Sequence, residues 1–300
     1  MPELRGKTPG NIDVKTVAGF GQEWAAYDQT DLDHAELQWM FDSYFGIFPF
    51  EDLPRNAEGF DLGCGSGRWA DLVLPRVGVL HCIDPSEEAL DVARRRLANR
   101  PGAQFHLASV DDMPLPDGSQ DFGYSLGVLH HIPDTAAGLD RCVRKLKPGA
   151  PFLLYLYYSL DNRPPWFRAL WRGTDLVRRR ISRAPFWVRK RVTQLIALGI
   201  YWPLARGAKL AERMGRNVSN FPLSTYRDTS FYTMRTDALD RFGTRLEHRF
   251  SKAQIAAMMT RAGLTDLVFS DHAPFWVACG RRATTDRTTS ANARETTSAE

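Results

Sequence analysis

The stretch Gly59-Phe-Asp-Leu-Gly-Cys-Gly-Ser-Gly-Arg68 decides the fold, and Asp84 follows it at the end of the next apolar run. The pattern predicts a strand, a glycine turn, a helix, and a second strand that ends in a carboxylate. Glycines lack Cβ atoms, so the turn can bring its backbone amides against a ligand. The helix after the turn presents unpaired N–H groups to that ligand. Because a carboxylate at the tip of the next strand can accept both hydroxyls of a ribose, we predict a nucleoside-cofactor site.

The glycine spacing separates two classes of cofactor. A dinucleotide fingerprint reads Gly-x-Gly-x-x-Gly or Ala, but its sixth position is Arg68 in this chain. The stretch reads Gly-x-Gly-x-Gly instead, with Asp61 two residues before the first glycine. In this it resembles the class I S-adenosylmethionine-dependent methyltransferases, of the small-molecule, methyltransferase type 11-like kind. An NAD-binding oxidoreductase remains a third interpretation of the turn.

The resemblance covers roughly residues 55 to 158, with the motifs in the family's order. His81-Cys-Ile-Asp-Pro-Ser86 is similar to its second motif, and the segment Val110–Phe122 is similar to its adenine-side segment. Leu126–Asp134 resembles its fourth motif, and Arg144-Lys-Leu-Lys-Pro-Gly149 resembles the turn before its fifth strand. The resemblance implies S-adenosylmethionine as the cofactor.

Strands that alternate with helices predict a parallel sheet covered on both faces. With the resemblance, the expected fold class is α/β, a Rossmann-like doubly wound seven-stranded sheet with an antiparallel last strand and a helical cap insertion. Residues 1–158 would hold N-terminal lid helices and the first five strands, and 159–248 a mostly helical basic insertion over the substrate. A final helix and strand pair would occupy 249–282, and 283–300 would be a disordered tail.

Charge is concentrated in the insertion. The chain of 300 residues carries a net charge of +4, but between Asp161 and Arg216 fourteen Lys or Arg face only three acids. Three interpretations stay open: a solvated cap surface, a patch for an anionic membrane surface, or a site for an anionic acceptor. Nucleic acid is not an expected partner, because no RNA-binding module is recognisable.

Compartment and metal content are predicted from the cysteines and the hydropathy. Cys64, Cys82, Cys142 and Cys279 are widely spaced, which indicates neither a disulfide framework nor a zinc site, so no metal is expected. No apolar run reaches the ~20 residues of a membrane span, and residues 1–7 do not resemble a signal peptide. We expect a cytoplasmic protein, peripheral to the membrane if the basic insertion binds lipid.

The resemblance also assigns cofactor contacts. Asp61, with Ser66 and Arg68, would surround the amino-acid end, and Asp84 would hold the ribose hydroxyls. Ser109 stands where the family commonly has an Asp or Asn for the adenine amino group, so either its hydroxyl or Asp111 would take that role. The full predicted set is Asp61, Gly63, Gly65, Ser66, Gly67, Arg68, Asp84, Pro85, Ser86, Ser109, Val110, Ser125 and Leu126.

The residues that act on the acceptor are assigned more loosely. His130 and His131 are candidate bases, since a histidine of ordinary pKa can accept a proton near neutral pH, but one of them could instead shape the turn after the fourth strand. Trp24 and Tyr27 are candidate cover residues, with core packing as the alternative. The candidate acceptor residues are Tyr226, Asp228, Tyr232 and Arg235, in a segment that could equally be an exposed loop.

The sequence therefore predicts an S-adenosylmethionine-dependent methyltransferase that transfers a methyl group to an oxygen, nitrogen or carbon of a small-molecule or lipid-linked acceptor. The alternative is a catalytically silent cofactor-binding protein whose insertion binds a partner or a membrane. The oligomeric state stays open.

Overall fold

A seven-stranded sheet forms the centre of the structure, a computed structural model that describes residues 10–284. The strand order is β3-β2-β1-β4-β5-β7-β6. Neighbouring strands among the first five are parallel, and β7 is antiparallel to both of its neighbours. The predicted fold class is thereby confirmed. The strands are β1 (Glu58–Leu62), β2 (Val79–Asp84), β3 (Ala103–Leu107), β4 (Phe122–Leu126), β5 (Pro151–Tyr155), β6 (Leu264–Phe269) and β7 (Ala278–Arg282).

Helices cover both faces of the sheet and form the insertion. Ten α-helices lie in the described part of the chain: α1 (Val14–Ala26), α2 (His34–Phe45), α3 (Arg68–Val73), α4 (Glu87–Arg96), α5 (Thr135–Lys145), α6 (Pro165–Ile181), α7 (Phe186–Ile196), α8 (Trp202–Arg213), α9 (Phe231–Gly243) and α10 (Lys252–Arg261). Side-chain caps begin several of them. Ser86 caps α4, Asp134 caps α5, and Ser251 forms a capping box with Gln254 at α10.

The core consists of two apolar layers, one on each face of the sheet. Phe60 and Phe152 belong to one layer, and Leu80, Phe122 and Tyr124 belong to the other. Successive side chains of a strand point to opposite faces, so central strands buried on both sides need apolar residues in nearly every position. The buried polar positions at the carboxyl ends of the strands are therefore free to form a site.

Pairing sets the bounds of two strands at this edge. Strand β5 ends at Tyr155, and Tyr158 beyond it pairs only through an isolated bridge to Phe250. Strand β7 begins at Ala278, the first residue to pair with β5. Residues 285–300 of the predicted tail lie outside the described range.

The segment after β5 is helical and has a small core of its own. Its apolar centre joins α8, α9 and a π-helical turn, Ala197–Tyr201, through the buried residues Ala197, Tyr201, Ala205, Met234, Ala238 and Phe242. A buried ion pair fixes α6, since Asp175 accepts from Arg178 at 2.6 Å and Arg178 also donates to the carbonyl of Thr244 at 2.8 Å. This segment faces the carboxyl ends of the strands, where open α/β sheets bind ligands.

Candidate active site

The glycine turn is tied to the second strand by Asp84. The backbone N–H of Gly65 donates to Oδ2 of Asp84 at 3.0 Å, and the N–H of Ser86 donates to Oδ1 at 2.9 Å. Burial raises the pKa of Asp84 to about 6, although both N–H donors oppose that shift. Gly65 has a φ of +53°, a conformation that side chains with a Cβ rarely adopt. The Asp84 carboxylate thus fixes the conformation of the turn through these two hydrogen bonds.

A cavity of about 120 Å³ lies beside this turn. Six of the thirteen predicted cofactor residues line it: Gly63, Asp84, Pro85, Ser109, Val110 and Leu126. Arg68 lines a second cavity instead. The structure places Asp61, Gly65, Ser66, Gly67, Ser86 and Ser125 in or next to the buried turn, but they line neither cavity. Asp111 does not line the cavity either, and its Oδ2 accepts from the backbone N–H of Asn11 at 2.6 Å.

Two buried polar groups under the turn lack hydrogen-bond partners within the described residues. They are Oδ2 of Asp61 and Oγ of Ser66. Burial raises the pKa of Asp61 to about 8, with the Tyr124 hydroxyl acting in the opposite direction. Buried polar groups normally find partners, so these two atoms are suited to a polar ligand on the turn.

Helix α1 covers the glycine turn. The indole of Trp24 lies over Gly65, where a Cβ would come within 2.9 Å of Cε2. A Cβ on Gly21 would come within 2.5 Å of Oγ of Ser86. Phe20 and Trp24, one helical turn apart, line both the small cavity and its larger neighbour.

The larger cavity has a volume of about 360 Å³ and lies between the sheet and the insertion. It shares Phe20, Trp24, Leu126 and Gly127 with the smaller one, so the two cavities adjoin. Aromatic rings form much of its wall, including Trp39, Tyr44, Trp69, Tyr155, Tyr157, Tyr201 and Tyr226. Its charged lining consists of Glu23, Asp237 and Asp240 with Arg68, Arg163, Arg241 and Arg249.

The three acids of the larger cavity differ in their bonding. Asp240 accepts hydrogen bonds from the Tyr157 hydroxyl and from Oγ1 of Thr244. Burial raises the pKa of Asp237 to about 6, with Arg68 opposing. Burial also raises the pKa of Glu23 well above its ordinary value, and the neighbouring Asp240 and Asp237 reinforce that effect. No local sequence pattern marks Glu23, because the groups that surround it come from distant parts of the chain.

The predicted acceptor residues are only partly brought together. Of the candidate cover and acceptor residues, Trp24 and Tyr226 line the larger cavity, whereas Tyr27, Asp228, Tyr232 and Arg235 do not. The Tyr27 hydroxyl accepts from Gln194 at 3.0 Å, and the Tyr232 hydroxyl accepts from the N–H of Gln29 at 2.9 Å, so both serve as packing contacts. Asp228 pairs with Lys209 on the exposed surface, and the Arg235 guanidinium lies over the rings of Tyr27 and Tyr232.

The histidine pair is sealed from the larger cavity. His130 is fully buried, neither of its ring nitrogens has a partner among the described residues, and it lines neither cavity. His131 reaches the smaller cavity, but its Nδ1 donates to the carbonyl of Leu246 at 2.7 Å and its Nε2 is buried. Burial lowers the pKa of both rings. In this structure neither nitrogen of His130 is placed to meet an acceptor.

Comparison with known proteins identifies the central part of the chain. A family profile described as "Methyltransferase domain" matches residues 60–154. Phosphoethanolamine N-methyltransferase 2 of Caenorhabditis elegans is 31% identical over 146 residues, which are 44% of this chain and 33% of that protein. A ubiquinone biosynthesis O-methyltransferase of Thiobacillus denitrificans is 32% identical over 105 residues, 34% of this chain and 44% of that protein. The chain thus spans less than half of the length of these two relatives.

Among solved structures, the magnesium protoporphyrin IX methyltransferase of Synechocystis, solved with bound SAH, has a similar fold. The TM-score is 0.52 at 13% identity, and the match covers 89% of this chain and 96% of that one. Such a likeness concerns the fold alone.

The residues of the turn fit S-adenosylmethionine, the cofactor of this domain. Asp84 would accept from the ribose hydroxyls, and Oδ2 of Asp61 and Oγ of Ser66 would be available for further polar contacts with the cofactor.

Proposed function

Given that residues 60–154 form a class I S-adenosylmethionine-dependent methyltransferase domain, we propose that the chain transfers a methyl group to a small-molecule or lipid-linked acceptor bound in the larger cavity. The adjoining cavities support this proposal most strongly. One is lined by Gly63 of the glycine turn and by Asp84, and the other has space for an acceptor. Phe20, Trp24, Leu126 and Gly127 form the border that a transferred group would cross.

The bound cofactor supplies an activated methyl carbon, so the protein has to align two molecules and exclude water. The Asp84 carboxylate, held in place by the N–H groups of Gly65 and Ser86, would bind and orient the cofactor at the carboxyl end of β2. Aromatic rings around the larger cavity exclude water and favour a cationic sulfonium nearby through cation–π attraction. The acceptor atom, oxygen, nitrogen or carbon, is not fixed by these features, and the two curated relatives named above include both an N- and an O-methyltransferase.

The proposal is tested by titration calorimetry with S-adenosylmethionine, S-adenosylhomocysteine and NAD, followed by transfer of labelled methyl groups from S-adenosylmethionine into a small-molecule metabolite extract. We expect binding of the first two ligands and label in extract components that depends on the protein. Binding without any transfer would favour the catalytically silent alternative. Tight binding of NAD alone would favour the oxidoreductase interpretation.

We further propose that the insertion contacts anionic membrane surfaces. Of seventeen exposed large apolar side chains in the described residues, twelve lie between Trp166 and Phe221. Trp187, Leu195 and Leu198 follow one another at helical spacing. Exposed arginines lie beside them, among them Arg168, Arg172, Arg179, Arg180, Arg183 and Arg191.

Tryptophan and leucine beside arginine suit the interface of an acidic bilayer, where the rings enter the headgroup region and the cations meet lipid phosphates. A solvated cap surface alone would not require so many large exposed apolar side chains. No helix of the described residues has the length and apolar character needed to span a bilayer, so the contact would be peripheral.

A further inference from the structure

Glu23 is an unusual carboxylate in the larger cavity. It lies on α1, only 6% of its surface is exposed, and its carboxylate makes no hydrogen bond or ion pair with any described side chain. A buried charge is normally paired, because an unpaired one loses its hydration without compensation. A carboxylate that faces a cavity without a protein partner is available to a group bound there.

The position of Glu23 on its helix brings it to the border between the two cavities. Phe20, Glu23 and Trp24 are spaced i, i+3 and i+4, so they share one face of α1. Phe20 and Trp24 line both cavities, and Glu23 lines the larger one. An acceptor atom that receives a methyl group across this border therefore lies within reach of the Glu23 side chain.

The competing bases are less well placed than Glu23. Both carboxylate oxygens of Asp240 accept hydrogen bonds from the protein, and Asp237 lies on α9, away from the face of α1 that lines both cavities. Nε2 of His131 is the ring nitrogen that could accept a proton, but it is buried away from the larger cavity. Among the acids that line the larger cavity, Glu23 is the one on the helix face whose Phe20 and Trp24 line both cavities.

We propose that Glu23 is the catalytic base, which binds the acceptor's nucleophilic O–H or N–H and takes its proton; this inference rests on the proposed methyl transfer. The acceptor's lone pair forms the bond to the methyl carbon, while the electrons of the broken carbon–sulfur bond stay with the departing thioether. The proton moves from the acceptor to a carboxylate oxygen of Glu23, which becomes a neutral acid and later releases the proton to water. The acceptor class is accordingly an alcohol, phenol or amine rather than a carbon nucleophile.

The electrostatic surroundings agree with that role. Asp237 and Asp240 of α9 raise the affinity of Glu23 for a proton, while Arg189 of α7 and Arg68 of α3 reduce it. Burial and the two acids together raise its pKa well above the ordinary value of a glutamate, which improves its strength as a proton acceptor near neutral pH. A general base contributes typically about 10²–10⁴-fold to a rate.

The test compares wild type, Glu23→Gln, Glu23→Asp and the control Glu51→Gln, whose side chain is exposed and outside both cavities. Single-turnover transfer of labelled methyl from S-adenosylmethionine into a metabolite extract is followed as a function of pH. In wild type, the rate of transfer should rise with pH as Glu23 loses its proton. We expect Glu23→Gln to slow transfer by about 10²–10⁴-fold and to remove that pH dependence, while its affinity for S-adenosylmethionine stays within about twofold of wild type. Glu23→Asp should retain part of the rate, and Glu51→Gln should behave as wild type.

A second readout does not depend on turnover. Carboxyl ¹³C NMR of glutamate-labelled protein should show one signal that titrates above the ordinary glutamate range and is missing from Glu23→Gln. An ordinary titration of Glu23, or Glu23→Gln with the wild-type rate and pH profile, would overturn the base role and leave methyl transfer intact. A wild-type protein that binds S-adenosylmethionine but transfers nothing would overturn the proposed function itself, and the base role with it.

Discussion

The backbone N–H of Gly65 donates to Oδ2 of Asp84 across 3.0 Å, so the glycine turn and the end of the second strand form one bonded unit. The same carboxylate accepts from the N–H of Ser86, the residue that caps α4. Asp84 therefore holds the shape of the site in addition to any ligand contact that it makes. Substitutions at Gly65 or Asp84 should therefore change both the affinity for the cofactor and the free energy of unfolding.

Cofactor affinity should depend on pH through Asp84. Its pKa in the free protein is raised to about 6, and the ionised form is the better acceptor for ribose hydroxyls. We expect the association constant for S-adenosylmethionine to be highest above pH 6 and to fall toward about tenfold per pH unit below it. Calorimetry between pH 5 and 8 measures this, with Asp84→Asn as the comparison. The Asp84→Asn variant should bind S-adenosylmethionine more weakly, by roughly 1.5–3 kcal/mol, and its association constant should not change near pH 6. If the association constant of the variant still fell below pH 6, the titration would belong to another group.

Gly65→Ala should disturb the turn and its cover together. The residue has a φ of +53°, and an added Cβ would come within 2.9 Å of the Trp24 ring. We expect a loss of about 1–2 kcal/mol in the free energy of unfolding, together with weaker binding of S-adenosylmethionine. Thermal unfolding and tryptophan fluorescence report the two effects. Gly173→Ala is the control, since that glycine has open space around it and no positive φ; equal stability of the two variants would contradict the prediction.

The insertion should depend on its buried ion pair. Asp175 and Arg178 are both buried, and burial alone would raise the pKa of Asp175, but Arg178 and Arg179 lower it overall. Because that pKa is depressed, the pair stabilises the fold above the unfolded pKa of Asp175, and this contribution is lost as pH falls through the folded pKa. Asp175→Ala leaves Arg178 buried without its partner, so we expect a loss of roughly 3–5 kcal/mol near neutral pH.

Urea unfolding measures the loss at Asp175, with the exposed Asp271→Ala as control. The difference between Asp175→Ala and wild type should shrink in acid. A difference that grows as the pH falls would mean that the carboxyl group is not stabilised by the arginines.

Membrane contact should require the exposed apolar side chains of the insertion. Trp187, Leu195 and Trp202 are 71, 69 and 46% exposed, so their replacement by alanine should leave the fold intact. We expect wild type to float with vesicles that contain phosphatidylserine, less so at high salt, and the triple variant to lose at least about tenfold in partitioning. Leu107→Ala, 58% exposed on β3, is the control. Wild type that stays in the soluble fraction at low salt, or that associates with itself instead, would refute the proposal.

The sheet and the cofactor turn could be predicted because their signals are local. Three closely spaced glycines followed by a carboxylate at the end of the next strand fit few structures other than a ligand-binding turn. Asp84 does lie at the end of β2 beside the turn. The acceptor side could not be predicted in the same way. Tyr232 occurs in the same polar and aromatic segment as Tyr226, yet only Tyr226 reaches the cavity. Tyr226 lies in a turn before α9, whereas α9 presents Thr233 and Asp237 to the cavity and not Tyr232.

The sequence patterns do not predict which titratable side chains are buried and which face a cavity. His130 and His131 are candidate bases on chemical grounds, but their rings are buried against Phe20, Tyr157 and each other. Glu23 resembles any polar helix residue in the sequence, and its surroundings arise only when α1 meets α9 and α3. Long-range packing, rather than residue type, thus decided which acid faced the cavity.

Helix α1 packs against α4 on one side and against α9 on the other, with Gly21 close to Ser86 and Gln22 bonded to Arg189 of α7. Because Phe20 and Trp24 of α1 line both cavities, the helix forms a wall that the two cavities share. A substitution that displaces this helix would therefore change both cavities at once, so the proposed cofactor and acceptor sites cannot be altered independently at that wall.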